Sequence, residues 1–243
     1  MNLEATINYY DEQYRLGNAL ISDEEFNKLE RNLKAVHPDC DYFNKQLVLP
    51  SLVKDEIADF ISDLSPDIKV MIQPKIDGCA VAVEYKNGKI TKAITRKGKD
   101  ITEKMIRIST VPLRVPIKST LMVRGELYAE DETPSVSQRI AAGYLRSKSL
   151  DPNPNLKFSA FEIMNCELDQ YDALQYLRLK LGFNTVTWSL TEITHIETYR
   201  RNWLNNNLYT GYPTDGIVVK LNSRKLQLER EKNCREWQIA IKE

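Results

Sequence analysis

The stretch VMIQPKIDGCAVAVEYKNGKI, residues 70–90, limits the fold more than any other part of the chain. Two apolar runs, Val70–Gln73 and Ala80–Tyr85, read as strands, and Asn87-Gly88 is the turn that closes a tight hairpin onto a third strand at 89–95. A two-residue hairpin can join only antiparallel neighbours, so the sheet that contains it is antiparallel. Between the first two strands sits Pro74-Lys75-Ile76-Asp77-Gly78. A lysine flanked by strand on both sides loses water unless something nearby pairs with it, which asks for a partner that sequence order does not reveal.

Further strands are expected at 120–128, 157–164, Ile217–Leu221 and Trp237–Ile241. Residues 1–36 read as a helical hairpin. The first helix runs to about Leu16 and stops at Gly17-Asn18; the second opens on a Ser22–Glu25 capping box, carries Phe26, Leu29, Leu33 and Val36 on one face, and ends at His37-Pro38. More helices are expected near 54–64, at 134–146, along Tyr171, Leu174, Leu177 and Leu181 up to Gly182, and at roughly 194–206. The class is α+β, with helices around mostly antiparallel sheets. The expected organisation is a helical domain at 1–38, a connector at 39–69 and a larger domain at 70–243.

Composition excludes little. Lys+Arg and Asp+Glu both number 34, so net charge says nothing about partners. A local basic run, from Lys86 through Lys89, Lys92, Arg96, Lys97 and Lys99 to Lys104, suits phosphates or nucleic acid, although on charge alone a solvated hairpin face is the commoner explanation. The four cysteines are dispersed without a CxxC pair, which argues against a zinc ribbon and fits a reducing compartment. The N-terminus lacks the features of a signal peptide and no apolar run approaches a membrane span, so a cytoplasmic protein is expected.

A lone Lys-x-Asp-Gly is a common turn sequence. Here, charged residues recur at strand ends downstream: Arg96 in ITRKG, Glu126 in VRGELY, Arg139 and Arg146 in SQRIAAGYLRSKSLDP, Asp215 and Lys220 in TDGIVVKLN, and Lys242 in WQIAIK. Each has an ordinary explanation, as an edge-strand charge for Glu126, a snorkelling strand end for Lys220 or a chain terminus for Lys242. Together they supply several cations and a few carboxylates around one lysine, the parts needed for phosphoryl or nucleotidyl transfer.

On these motifs the chain resembles the NAD-dependent DNA ligases over essentially its whole length. QPKIDG resembles their nucleophile motif, VRGELY the third nucleotidyltransferase motif, DGIVVK the fourth and WQIAIK the fifth. These motifs are shared with ATP-dependent ligases and RNA-capping enzymes. ISDEEFNKLERNLKAVHPD resembles the helix that clamps the nicotinamide mononucleotide (NMN) half of NAD, while RIAAGYLRSKSLDP and Leu49-Pro50-Ser51-Leu52 resemble further stretches of the NAD branch. The resemblance implies a helical NMN-binding hairpin followed by an ATP-grasp-like adenylation domain of antiparallel sheets flanked by helices. It implies that Lys75 takes AMP as a phosphoramidate, that Asp77 orients or activates it, and that Gly78 lets backbone pass close to the nucleotide. Ser51, Leu52 and Gln73 are expected at the nucleotide, Arg96 and Glu126 at the ribose, Phe161 on the adenine, and Lys220 and Lys242 at the α-phosphate. Tyr14, Arg15 and Asp23 are expected at NMN, Arg139 and Arg146 at phosphate or DNA, and Glu126 and Asp215 at a magnesium ion.

The resemblance has departures. Arg15, Phe26 and Asn27 stand where the family usually has histidine, tyrosine and aspartate, and Gln73 stands where it has an acid. The loop after Arg96 is reduced to Lys97-Gly98-Lys99-Asp100, and the Arg139–Arg146 spacing is one residue tighter than usual. Family members continue into an OB-fold and further DNA-binding domains. The resemblance therefore implies nicked duplex DNA as a partner, together with a second polypeptide or a C-terminal region that carries the OB-fold. Two other readings use the same residues: an ATP-dependent polynucleotide ligase or related nucleotidyltransferase, and a non-catalytic DNA- or partner-binding subunit.

Overall fold

The computed structural model describes residues 2–15, 20–37, 40, 42, 57–151, 154–164, 166–233 and 236–242, with the side chains at 11, 12, 14, 15, 23 and 27 outside that description. The chain forms two compact units, Met1–Pro50 and Ser51–Glu243. The stretch expected as a connector, 39–69, is thus divided between them.

In the first unit α1 (Leu3–Arg15) and α2 (Asp23–Val36) form the expected hairpin. The Glu25 amide donates to Ser22 Oγ at 3.2 Å and the Ser22 amide donates to Glu25 Oε2 at 2.9 Å, so the capping box closes as its sequence requires. Ile7, Leu33 and Tyr42 are the buried centre, with Leu3, Phe26, Leu29 and Cys40 packed on it. Tyr42 is anchored by its amide on Glu4 and its hydroxyl on Glu30. Val36, the last residue of the expected apolar stripe, is exposed, since it lies in the final turn beside the His37 cap.

The second unit holds eight described strands: β1 (Lys69–Ile76), β2 (Cys79–Lys86), β3 (Lys89–Thr95), β4 (Thr120–Tyr128), β5 (Lys157–Ile163), β6 (Ser189–Glu192), β7 (Thr214–Leu221) and β8 (Gln238–Ile241). They form two four-stranded antiparallel sheets, ordered β6-β1-β7-β8 and β3-β2-β4-β5. The hairpin at Asn87-Gly88 joins β2 to β3, both turn residues having positive φ. α3 (Ile57–Ile61) buries Phe60 in the first sheet's outer core with Val70, Ile72, Ile217 and Val219. Arg230, on α8 (Arg224–Lys232), fixes α3 by donating to Phe60 O at 2.8 Å and pairing with Asp63.

α5 (Pro134–Arg146) has the expected bounds, and α6 (Gln170–Leu179) supplies Leu174 and Leu177 to the second sheet's core. A short α4 (Thr102–Met105) precedes them, and a 3-10 turn (Ile193–His195) leads into α7 (Ile196–Leu204). β6, α4 and α8 were not expected from sequence. β6 and α4 are four residues each, too short for a period to declare itself. α8 (RKLQLEREK) is almost wholly charged and buries only Gln227 and Arg230, so it has no apolar stripe to read.

Candidate active site

The lysine that looked stranded between two strands is inside one. β1 and β2 each extend beyond the expected limits, leaving only Asp77 and Gly78 between them. β1 is an inner strand of its sheet and is held to Ile76 by its pairing with β7. That pairing breaks register once: Pro74 faces Ile217 and Ile76 faces Thr214, so Lys75 is opposed by two residues, Asp215 and Gly216. Proline has no amide hydrogen for the ladder, and a bulge is where a strand tolerates it. The extra residue brings Asp215 to Lys75. The bulge also needs glycine, because a Cβ on Gly216 would lie 2.3 Å from Ile241 O of β8. At Gly78 the close neighbour is β4, where an added Cβ would meet Leu127 O at 2.3 Å, so its smallness already serves strand packing.

Lys75 Nζ donates to Asp215 Oδ1 at 2.8 Å, and Lys242 Nζ lies 2.5 Å from Asp215 Oδ2. One carboxylate thus bridges two lysines that lie 167 positions apart by their residue numbers. Burial pushes the Asp215 carboxyl up, but the two ammoniums, by charge and hydrogen bonds, outweigh it and hold it below the usual range. Asp77 goes the other way: burial, then the Asp215 charge, raises it against the pull of Lys75 and Lys242. Glu126, on β4, is the extreme case, pushed up to about 8 by burial although Lys75 and Arg124 oppose this. At neutral pH it is mainly a protonated, hydrogen-bond-donating acid.

Beside this group lies a second cluster. Arg124 faces Glu162 directly across the β4–β5 pairing, and its Nη1 is 3.3 Å from Glu162 Oε2. Lys220 reaches over from β7 of the other sheet, 3.7 Å from the same oxygen, and donates to Phe161 O at 3.3 Å. Only 2% of the Lys220 side chain is exposed. Burial lowers its ammonium to about 8, with Glu162 opposing the drop and Arg124 adding to it. The Phe161 ring lies 4.9 Å from Lys220 Nζ and 5.6 Å from the Arg124 guanidinium carbon. In this structure the ring covers cations, which leaves its expected stacking on a base as a proposal.

Of the sequence-predicted residues, Lys75, Asp77, Glu126, Asp215 and Lys242 come within one another's electrostatic reach, and Lys220 and Phe161 form the neighbouring cluster. Gln73, two positions before Lys75 on β1, is buried with its amide nitrogen unpartnered, a free donor in the sheet interior. Arg96 follows β3 and is half-buried. Arg139 and Arg146 are exposed on α5, and the charge of Arg146 is felt at Cys79, next to Gly78. The basic run divides: Lys104 is buried, donates to Ser149 O at 3.0 Å and lies over the Tyr144 ring, whereas Lys89, Lys92, Lys97 and Lys99 are exposed. Ser51 and Leu52 lie outside the described residues, as do the side chains of Tyr14, Arg15 and Asp23.

Sequence reading missed Arg124 and Glu162. A signal existed for the first: strand alternation puts Arg124 on the same face as Glu126. Glu162 gave none, because only cross-strand register makes it the partner of Arg124.

Comparisons with known proteins give the family and the fold. The sequence model described as NAD-dependent DNA ligase adenylation domain matches residues 41–242. A DNA ligase of Clostridioides difficile is 29% identical across 98% of this chain and 44% of its own length. DNA ligases of Mycoplasmopsis agalactiae and Borrelia hermsii are each 30% identical, across 88% and 94% of this chain and 40% and 37% of their own lengths. The chain therefore spans less than half the length of these curated relatives. Among solved structures, one titled Pmar-Lig_Pre has a TM-score of 0.53 at 15% identity, covering 93% of this chain and 52% of that one. An archaeal ATP-dependent RNA ligase also has a TM-score of 0.53, at 18% identity, with 80% and 48% covered. At such identities the structural likeness establishes the fold alone, an α+β arrangement of two antiparallel sheets.

Proposed function

Because the chain belongs to the family of NAD-dependent DNA ligase adenylation domains, we propose that it transfers the adenylyl group of NAD to Lys75, the first step in sealing nicked duplex DNA. The observation that carries this reading is the Lys75–Asp215–Lys242 bridge, in which a strand-held lysine has a proton acceptor at 2.8 Å and a second cation on the acceptor's other oxygen.

A lysine attacks phosphorus only as the free amine. In the arrangement seen, Asp215 is a poor base, since both its oxygens are engaged by ammoniums. An arriving phosphate competes for Lys242, and loss of that ammonium leaves Asp215 more basic toward Lys75. Lys75 Nζ then gives one proton to Asp215, forms the N–P bond to the α-phosphorus and releases its second proton to solvent, while the bond from phosphorus to the NMN oxygen breaks with its electron pair leaving on NMN. Lys242 and Lys220 offset the charge that builds on the phosphoryl oxygens. Glu126, protonated at neutral pH, donates to the ribose beside Arg96. Gln73 offers its free amide to the base, and Phe161, Ser51 and Leu52 are the other residues assigned to the nucleotide. The hairpin at 1–38, through Tyr14, Arg15 and Asp23, holds NMN, while Arg139 and Arg146 face phosphate or DNA.

Magnesium fits as an ion carried mainly by the donor's phosphates. Among the described residues no three His, Cys, Asp or Glu side chains gather as a cage. Magnesium is usually held by one or two carboxylates plus substrate phosphates; Asp215 would hold it, and Glu126 would do so once the ion displaced its proton. Its contribution would be charge neutralisation at the phosphate. The free thiols of Cys40, Cys79 and Cys166 suit a reducing cytoplasmic setting, and no described helix is long and apolar enough to cross a membrane. Neither an ATP-dependent ligase nor a non-catalytic subunit is favoured by the family match.

The test is intact-protein mass spectrometry after incubation with magnesium and either NAD or ATP, beside Lys75→Ala. One AMP adduct with NAD alone, absent from the variant, is expected. An adduct with ATP alone, or none with either donor, would overturn the reading.

A further inference from the structure

Residues directly opposite one another in an antiparallel sheet take the same face, so the register of the sheet that holds Lys75 lays its inner side out in rows. Met71 packs into the second sheet's core, whereas Val70 and Ile72 face the outer core, so Met71, Gln73 and Lys75 line the side between the sheets. The row at Lys75, with Asp215 and Lys242, is charged and partly open to water. The next row, Gln73 with Val218 and Ala240, is buried, and Gln73 is its polar member. The third, Met71 with Lys220 and Gln238, is buried too, and the Phe161 ring lies 4.9 Å from its lysine. A charged, open row suits a phosphate. Closed rows with an aromatic ring and a few placed polar groups suit a flat base, and Gln73 stands about 7 Å along β1 from Lys75.

Gln73 is 2% exposed, yet its amide nitrogen has no partner among the described residues. A buried donor left unpaired is costly, so one that faces the cleft is spare for a ligand. A carboxamide carries an acceptor on one atom and donors on the other, and turning its last torsion by 180° exchanges the two in nearly the same space. Adenine presents an amino donor at its six-position with an acceptor ring nitrogen beside it. Hypoxanthine presents a keto acceptor there with a ring N–H beside it. One sense of the amide completes each pair, and the row neighbours Val218 and Ala240, being apolar, favour neither sense.

We propose that Gln73 is a specificity-determining residue that reads the six-position of the purine in either sense, so that 6-keto purine nucleotides are taken as well as adenine. Naming the ligand a purine nucleotide rests on the functional reading above; the spare amide does not. With nicotinamide hypoxanthine dinucleotide the transfer keeps its chemistry. Lys75 Nζ loses one proton to Asp215 and one to solvent, its N–P bond forms, and the bond from phosphorus to the NMN oxygen breaks with the electron pair leaving on NMN. The product is an inosinyl group on Lys75.

The experiment uses the 243-residue chain, treated with NMN to strip any AMP already carried on Lys75, beside Gln73→Met, which keeps the length of the side chain and removes its polar atoms. Calorimetry measures the binding of AMP, IMP and purine riboside 5′-monophosphate, which has no group at the six-position. In the wild type AMP and IMP are expected to bind within about fivefold of one another, and both about tenfold more tightly than the purine riboside. In Gln73→Met the three are expected to bind alike. Intact mass after incubation with magnesium and nicotinamide hypoxanthine dinucleotide is expected to show one inosinyl adduct. A preference for AMP over IMP above about thirtyfold, or differences among the three nucleotides that persist in Gln73→Met, overturns the proposal. An adduct from NAD with none from the hypoxanthine donor overturns it as well. If Gln73→Met does not fold, the wild-type ratio of AMP to IMP decides. A wild type that forms no adduct from either donor but binds AMP and IMP alike overturns the functional reading and leaves this one standing; one that binds neither nucleotide overturns both.

Discussion

At the scale of single residues, the site is a set of carboxylates driven apart by their surroundings. Asp215 stays ionised because two ammoniums sit on it, and Glu126 stays protonated because burial outweighs the cations near it. Asp215→Asn keeps the shape and removes the charge, so single-turnover adenylation of Lys75 is expected to fall by roughly 10² to 10⁴ while the fold persists. A larger loss in Asp77→Asn would move the proton acceptor to Asp77. Glu126 also makes a stability prediction. Its carboxyl titrates near 4.5 when unfolded and about 8 when folded, so between those values the folded state binds more protons. Stability from this group is therefore fully present below 4.5 and is lost as pH rises through 8. Glu126→Gln should unfold at a higher temperature than wild type at pH 8, and the difference should shrink toward pH 5. A constant difference across that range in thermal melts would refute the assignment.

Among the elements, the bulge in β7 does the most to build the site. The extra residue opposite Lys75 turns Asp215 inward, and β8 then runs close enough to Gly216 to leave no room for a methyl group. Gly216→Ala is expected to cost about 1–3 kcal/mol in urea unfolding, by pushing β8 and with it Lys242 away from Asp215. Adenylation should fall with it. Gly211→Ala, with nothing within 4 Å of the added Cβ, is the control and should leave both unchanged. Equal effects at the two positions would mean that the bulge is not what sets the site.

For the whole molecule, the two units each carry their own buried centre: Ile7, Leu33 and Tyr42 in one, the two sheets in the other. Deleting residues 1–36 should leave the second unit with its cooperative unfolding transition. The chain's three tryptophans, Trp188, Trp203 and Trp237, all lie there, so their fluorescence follows that unit alone. Adduct formation from NAD should be lost in the deletion, because NMN then has no clamp. Undiminished NAD use after the deletion would remove residues 1–36 from the site.

By itself the sequence determined the local elements and the chemistry they bear. The Asn87-Gly88 hairpin, the Ser22–Glu25 cap and the 134–146 helix are written in turn chemistry, capping and periodicity, which act over a few residues. The charged residues in PKIDG, GELY and DGIVVK were legible as parts of one site because together, and in motifs that resemble a known family's, they supply the cations and carboxylates of one chemistry, although each alone has an ordinary explanation. Tertiary structure alone decided which charges meet. Asp215 rather than Asp77 touches Lys75, and Glu162 joins Arg124 to Lys220. These contacts depend on register, a bulge and the facing of two sheets. Alternation along a strand says which face a side chain takes, but not what stands across from it. The ionisation of each group followed from the same cause, since burial and neighbouring charge exist only once the sheets have closed on one another.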